Sequence, residues 1–166
     1  TSQGKLMLGF ILGMSKYYVD NLAENVKRGI RQKIKRGECP NLAPVGYLND
    51  VRTKTIAVNR KKAKVVKAAF ELYAKNESRL EDISKFFYQH GVITKGNKRL
   101  FRNRITNILT NPIYHGLFRY GGEVYEGKHE PIITKKLFDK VQEVLRERGK
   151  PDRKANDPKP FCGLLR

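Results

Sequence analysis

The sequence predicts an α+β fold, mainly α, in which a long N-terminal helix is followed by a segment holding a helix-turn-helix and short β-hairpins. Three observations predict it. From Leu6 to about Arg36 there is no proline, and Leu22, Val26, Ile30 and Ile34 recur every fourth residue after Tyr18, the spacing of one face of a helix. Apolar residues return at helical spacing between Lys61 and Ala74, between Arg79 and His90, and from Phe101 to Leu109. Short β-type runs flank Asn49-Asp50 and Gly121-Gly122, which are turn formers.

The long helix is expected to end at Gly37 and Pro40. Near that end Lys27, Arg28, Arg31, Lys33, Lys35 and Arg36 are six basic residues with no acid among them. Such a run is often a solvated face, but these cations repel one another without an anion, so phosphate contact is the sharper expectation. Pro44-Val45-Gly46-Tyr47 opens an extended region, and Tyr47-Leu48 can pair with Thr55-Ile56-Ala57-Val58 across Asn49-Asp50. Val65, Val66, Ala69, Phe70 and Tyr73 then form the apolar stripe of a helix whose lysines face outward.

Ser78-Arg79-Leu80-Glu81 has the form of a capping box opening a helix from Arg79 to His90, which Gly91 ends. Ile83, Phe86 and Phe87 supply its buried side. The polar link Val92 to Leu100 is longer than a minimal helix-turn-helix turn, so the unit is an elaborated one. In the next helix Phe101, Ile105, Ile108 and Leu109 make the apolar edge, and Asn111 before Pro112 stops it. Gly116 to Tyr120 and Glu123 to Glu126 bracket Gly121-Gly122 as a tight hairpin, which reads as a wing beside the helix pair. A last helix, capped by Thr134, carries Leu137, Phe138, Val141, Val144 and Leu145 on one side. From Gly149 to Pro160 the composition is that of a linker.

Lys and Arg outnumber Asp and Glu by 35 to 16, giving a formal net charge of +19 on 166 residues. A field of that sign attracts phosphate, so nucleic acid is the default partner. With 39% hydrophobic residues, including eight Tyr and eight Phe, the chain can bury a core. Cys39 and Cys162 are far apart and lack ligand spacing, so they read as free thiols in a reducing cytosol and assemble no zinc site. The longest apolar run, Leu6 to Met14, is too short for a membrane span and lacks the cleavage motif of a signal peptide. A soluble, cytoplasmic protein is expected.

No catalytic set is complete. Glu71, Glu77, Glu81 and Asp82 read as surface charges rather than a two-metal site. His90, His115 and His129 are not followed three residues later by arginine, so the HxxR element of a tyrosine recombinase is missing. Ser2, Ser15, Ser78 and Ser84 have no neighbouring base. The basic residues fare better: Arg102, Asn103, Arg104 and Asn107 lie on the exposed side of the second helix of the pair, where arginine and asparagine can read guanine or adenine edges. Lys95, Lys98 and Arg99 in the preceding loop are expected on phosphates, as are Lys27, Arg28, Arg31, Lys35 and Arg36 of the long helix.

Together these blocks resemble the large serine recombinases, the phage serine integrases and transposon resolvases. Gly4-Lys5-Leu6-Met7-Leu8 with the long helix, Pro44-Val45-Gly46-Tyr47, and Phe101 through Ile105, Ile108-Leu109, Asn111-Pro112, Tyr114 and Gly116 carry the likeness. His129-x-Pro131-Ile132-Ile133 and Phe138-x-x-Val141-Gln142 extend it over nearly the whole chain. The resemblance implies the end of a resolvase-type catalytic domain and its connecting helix at 1–37, a DNA-binding recombinase domain at 38–148, and at 149–166 a linker to a zinc-ribbon domain, so zinc is expected only downstream. It further implies a double-stranded attachment half-site as partner, self-association through the long helix, and a parent enzyme that exchanges strands through a serine linkage. The family's nucleophilic serine lies upstream of the glycine-lysine-leucine block, so this fragment is expected to bind DNA and cut nothing. A winged-helix transcription regulator and an RNA-binding protein are the competing classes.

Overall fold

A computed structural model describes residues 1–53, 55–94 and 96–149 of the chain. In chain order the elements are α1 (Ser2–Lys35), β1 (Tyr47–Asn49), β2 (Ile56–Val58), α2 (Arg60–Ala74), α3 (Leu80–Gln89), α4 (Arg102–Thr110), a 3₁₀ turn (Pro112–His115), β3 (Leu117–Tyr120), β4 (Glu123–Glu126) and α5 (Lys135–Gly149). They form two compact units that cut across the 38–148 segment. Among the described residues one holds Thr1–Lys67 with Asn111–Thr134, the other Ala68–Thr110 with Lys135–Gly149.

In the first unit α1 buries no residue. It closes as Gly37 expects: Gly37 takes φ 73°, a conformation that suits glycine, while its N–H bonds the Ile34 carbonyl at 2.9 Å and the Glu38 N–H bonds that of Lys33 at 3.0 Å. The Gly37 carbonyl accepts from Lys128 N–H at 2.9 Å, and an added Cβ would sit 3.1 Å from Lys128 Cγ and 3.2 Å from the Glu126 oxygen. The end of α1 is thereby fastened to the end of the β3–β4 hairpin.

The small core of this unit joins two motifs distant in sequence. Tyr47 and Tyr114 are buried, with ring centroids 6.1 Å apart. The Tyr114 hydroxyl donates to the Val45 carbonyl at 2.9 Å, and the Tyr47 hydroxyl to that of Glu130 at 2.9 Å, with the Ile113 carbonyl 3.3 Å away. Burial pushes the Tyr47 phenol well above its usual range, so it stays a neutral donor. Gly46, at φ 98°, leaves room here, since a Cβ would fall 2.9 Å from Ile132 Cδ1. Asn111 turns the chain by accepting from Ile113 N–H at 3.1 Å, and Gly116 leaves the 3₁₀ turn at φ 100°.

Both hairpins form. Gly121 and Gly122 take φ 60° and 92°, as a two-residue turn with positive φ at both positions requires, and Tyr120 pairs with Glu123 beside it. The first hairpin differs from expectation. Asn49 stays in β1, opposite Ile56, so the turn is longer and Thr55 lies within it. Its fixed point is the Asp50 carboxylate, which accepts from Arg52 N–H at 2.9 Å and from the Thr53 hydroxyl at 2.8 Å. Those bonds hold the Asp50 carboxyl below its usual pKa, the hydroxyl most of all.

In the second unit Phe70, Tyr73, Ile83, Phe87, Ile105, Leu109 and Val141 are fully or nearly fully buried, and α4 packs on both α3 and α5. Buried polar groups find partners: Ser84 Oγ donates to the Leu100 carbonyl at 2.6 Å, and Gln142 Nε2 to the Leu109 carbonyl at the end of α4 at 2.7 Å. Arg148 binds the Asn76 and Ser78 carbonyls at 2.5 and 2.6 Å and lies 5.3 Å over the Tyr73 ring. Two expectations fail in this unit. The capping box is set one residue later than Ser78–Glu81: Arg79 is the N-cap, and Asp82 accepts from its N–H at 3.0 Å. Arginine has no acceptor to return, so the box is half made. Phe101 does not join the apolar edge of α4. It is 76% exposed and stands before the first helical residue, Arg102, outside the regular spacing of the helix.

Candidate nucleic-acid interface

The face of α4 follows from its packing. Ile105, Ile108 and Leu109 are buried, and at about 100° per residue the side opposite them centres on Asn103 and Asn107, with Arg102 and Arg104 on its two flanks. All four are exposed. The helix is short but held near both ends: Leu100, two residues before it, is buried and bonded by Ser84, and the Leu109 carbonyl in its last turn is bonded by Gln142. Its outward amides and guanidinium groups are thus presented from a fixed frame, as a surface that reads base edges requires.

In the loop before α4, Thr94 and Lys98 close a turn through a Thr94 N–H to Lys98 carbonyl bond at 3.1 Å and a Lys98 N–H to Thr94 Oγ1 bond at 3.2 Å. Lys98 and Arg99 project from it, and the Arg99 guanidinium lies 5.4 Å over the Tyr88 ring of α3. Lys95 lies outside the described residues. The second unit therefore holds Lys98, Arg99, Arg102, Asn103, Arg104 and Asn107, all exposed.

Lys27, Arg28, Arg31, Lys35 and Arg36 belong to the first unit and are exposed. Lys27, Arg28, Arg31 and Lys35 fall within one arc of α1 of about 100°, beside the half-buried Ile30 and Ile34. A polar ladder leads to them: Asn21 Nδ2 donates to the Tyr17 hydroxyl at 3.2 Å, Asn25 Nδ2 to Asn21 Oδ1 at 2.7 Å, and Arg28 Nη2 to Asn25 Oδ1 at 2.7 Å. Their i,i+4 and i,i+3 spacing was the available signal for this ladder, which the sequence reading missed.

Among the described residues no three His, Cys, Asp or Glu side chains could hold a metal ion, and no helix is long and apolar enough to cross a membrane. Cys39 is a free, buried thiol raised in pKa by that burial. The serine hydroxyls that have bonds serve structure: Ser15 Oγ donates to the Ile11 carbonyl at 2.9 Å, and Ser84 is occupied as above. In the wing-like hairpin the Tyr125 hydroxyl donates to Glu123 at 2.5 Å and its ring stacks on Phe118, so it is used within the hairpin.

Comparison with known proteins adds three findings. The Recombinase family model matches residues 60–148. An immunity region protein 5 of Bacillus phage phi105, itself uncharacterized, is 33% identical over 69 residues, 42% of this chain and 52% of that protein. Two solved structures share the fold at 25% identity. One is an LSR–DNA complex (TM-score 0.62, 82% of this chain and 42% of that one). The other bears on the sequence requirements of the Listeria innocua prophage attP site (TM-score 0.63, 82% of this chain and 58% of that one). The chain spans about half the length of these relatives.

Proposed function

The chain belongs to the Recombinase family, within the large serine recombinases, and from that premise we propose that it is the part that binds duplex DNA at an attachment half-site. The observation that carries this reading is the outward face of α4, where Arg102, Asn103, Arg104 and Asn107 stand exposed on a helix fixed by its buried edge. In this reading α3 and α4 act as an elaborated helix-turn-helix. Asn103 and Asn107 suit adenine edges, and Arg102 and Arg104 guanine edges. Lys98, Arg99 and the α1 stripe of Lys27, Arg28, Arg31 and Lys35 engage phosphates without reading sequence.

The apolar part of α1 has a role of its own here. Leu6, Met7, Leu8, Phe10, Ile11, Leu12 and Met14 point to all sides of the helix and are each more than half exposed, from 54% for Ile11 to 77% for Leu6. A helix apolar all round is one that a partner covers, and in the assembled recombinase that partner is a second copy. The parent enzyme integrates, excises or transposes DNA through a serine linkage, and this chain supplies binding without cleavage. Incubating the chain with sheared genomic DNA at about 0.15 M salt, where screening acts beyond about 8 Å, and sequencing what is retained tests the reading. One or a few related sites with imperfect two-fold symmetry are expected, whereas even recovery across the genome contradicts site recognition.

A further inference from the structure

The outward side of α2 carries a charge pattern that neither the core nor the α4 surface uses. Arg60, Lys61, Lys62, Lys64 and Lys67 occupy the first eight residues of the helix, with no acid until Glu71. All five are exposed, and no carboxylate forms an ion pair with any of them among the described residues. Ala63, Val66 and Phe70 mark the buried side, and at about 100° per residue Arg60, Lys61, Lys64 and Lys67 fall together in one arc of about 120° outside it. Like charges three and four residues apart repel: Arg60 with Lys64, Lys61 with Lys64, Lys64 with Lys67. They also sit at the end of the helix where its dipole disfavours cations. The cap there is neutral, Asn59 Oδ1 accepting from Lys62 N–H at 3.3 Å, and among the described residues no carboxylate offsets the charge.

An ordinary solvated helix looks different. The exposed side of α5 alternates sign, with Asp139, Glu143 and Glu147 among Lys135, Lys136, Lys140 and Arg146, the mixed pattern of a surface that serves solubility. We propose that Arg60, Lys61, Lys64 and Lys67 form a second, sequence-independent contact surface that tracks the phosphate backbone of duplex DNA. Arg60 to Lys67 spans about 10 Å of helix axis, the reach of about three successive phosphates of one strand at about 3.4 Å rise. The inference rests on the DNA-binding reading above, and it places a phosphate contact at the start of the segment the Recombinase model matches.

The test measures affinity against salt for three variants of the chain: Lys61→Gln/Lys64→Gln, the charge-retaining Lys61→Arg/Lys64→Arg, and Lys136→Gln/Lys140→Gln on α5 as an equal loss of charge elsewhere. The probes are the duplex most enriched by the wild type and a scrambled duplex of equal length. The expected result is that the α2 glutamine variant flattens the slope of log affinity against log salt by about 2, to the same extent on both duplexes. The arginine variant should match the wild type, and the α5 variant should shift the slope by less than half as much. Phosphate-ethylation interference should lose sites only with the α2 glutamine variant. An unchanged slope, a loss equal to that of the α5 variant, or a loss confined to the enriched duplex overturns the proposal. A wild type that retains no duplex at all overturns the DNA-binding reading instead, so the two failures are distinct. A far-UV spectrum and thermal midpoint equal to wild type, together with the arginine variant, separate lost contact from lost fold.

Discussion

α1 and α4 present basic residues in opposite ways. α1 runs for 34 residues without burying one, whereas α4 is nine residues long and buries Ile105, Ile108 and Leu109. An isolated helix as short as α4 is marginal in water, so tertiary packing holds it, and that packing also fixes the direction of every side chain on its outer face. α1 draws its order from its own length, from i,i+4 bonds such as Asn25 to Asn21 and from its end, where Gly37 is tied to Lys128, and no buried edge of its own fixes its stripe of cations. A contact that reads a base edge tolerates little displacement; a contact with a phosphate tolerates more. The packed helix is thus suited to sequence and the unpacked one to backbone.

The largest effect that separates the two regions is on stability. Truncating the fully buried side chain in Leu109→Ala is expected to cost about 2–5 kcal/mol. Leu12→Ala, on a side chain 61% exposed, should stay within about 0.5 kcal/mol. Denaturant unfolding of both variants measures the contrast, and similar midpoints would show that α1 has a core contact after all. A smaller loss is expected from Gly46→Ala, about 1–3 kcal/mol, because the new Cβ lies 2.9 Å from Ile132 Cδ1 at a φ of 98°; it should loosen the first unit, read from hydrogen exchange of the Tyr114 amide. Ser84→Ala, which leaves the buried Leu100 carbonyl without its donor, should cost about 1–3 kcal/mol and weaken discrimination between duplexes more than total affinity.

The helices were legible because burial repeats at helical spacing; what escaped was set by boundaries and by distance along the chain. Phe101 shares the angular side of Ile105 and Ile108, so periodicity assigns it to the core, but it stands one residue before the helix and lies in solvent. Ser78 looked like the cap by residue type, yet the carboxylate that returns to the N-cap is Asp82, three residues after Arg79. The Pro44-to-Tyr47 and Asn111-to-Gly116 motifs were visible separately, and their meeting through Tyr114 and Val45 was not, since no local rule links residues 69 apart. The exposure of Asn103, Arg104 and Asn107 on α4 was legible because it follows from the buried edge of Ile105, Ile108 and Leu109. The basic side of α2 was taken for a solvated one; its run from Arg60 to Lys67 without an acid, against the mixed signs of α5, distinguishes it.

The smallest expected effect is on the first hairpin, whose turn has almost no core beneath it. The Asp50 carboxyl has a folded pKa below its unfolded value, so its contribution is fully present above the usual carboxylate range and is lost as pH falls through the folded value. Amide shifts of Arg52 and Thr53 should titrate in that acidic window, and Asp50→Asn should abolish the titration.

The contrast between a reading helix and a phosphate-binding one is tested most directly by the affinities of Arg104→Ala and Lys35→Ala for the enriched duplex and for a scrambled one. Arg104→Ala should cost about 1–3 kcal/mol on the enriched duplex and little on the scrambled one, while Lys35→Ala should weaken both alike and reduce the salt slope by about 0.9. Equal behaviour of the two variants on both duplexes would contradict the assignment of α4 as the helix that reads sequence.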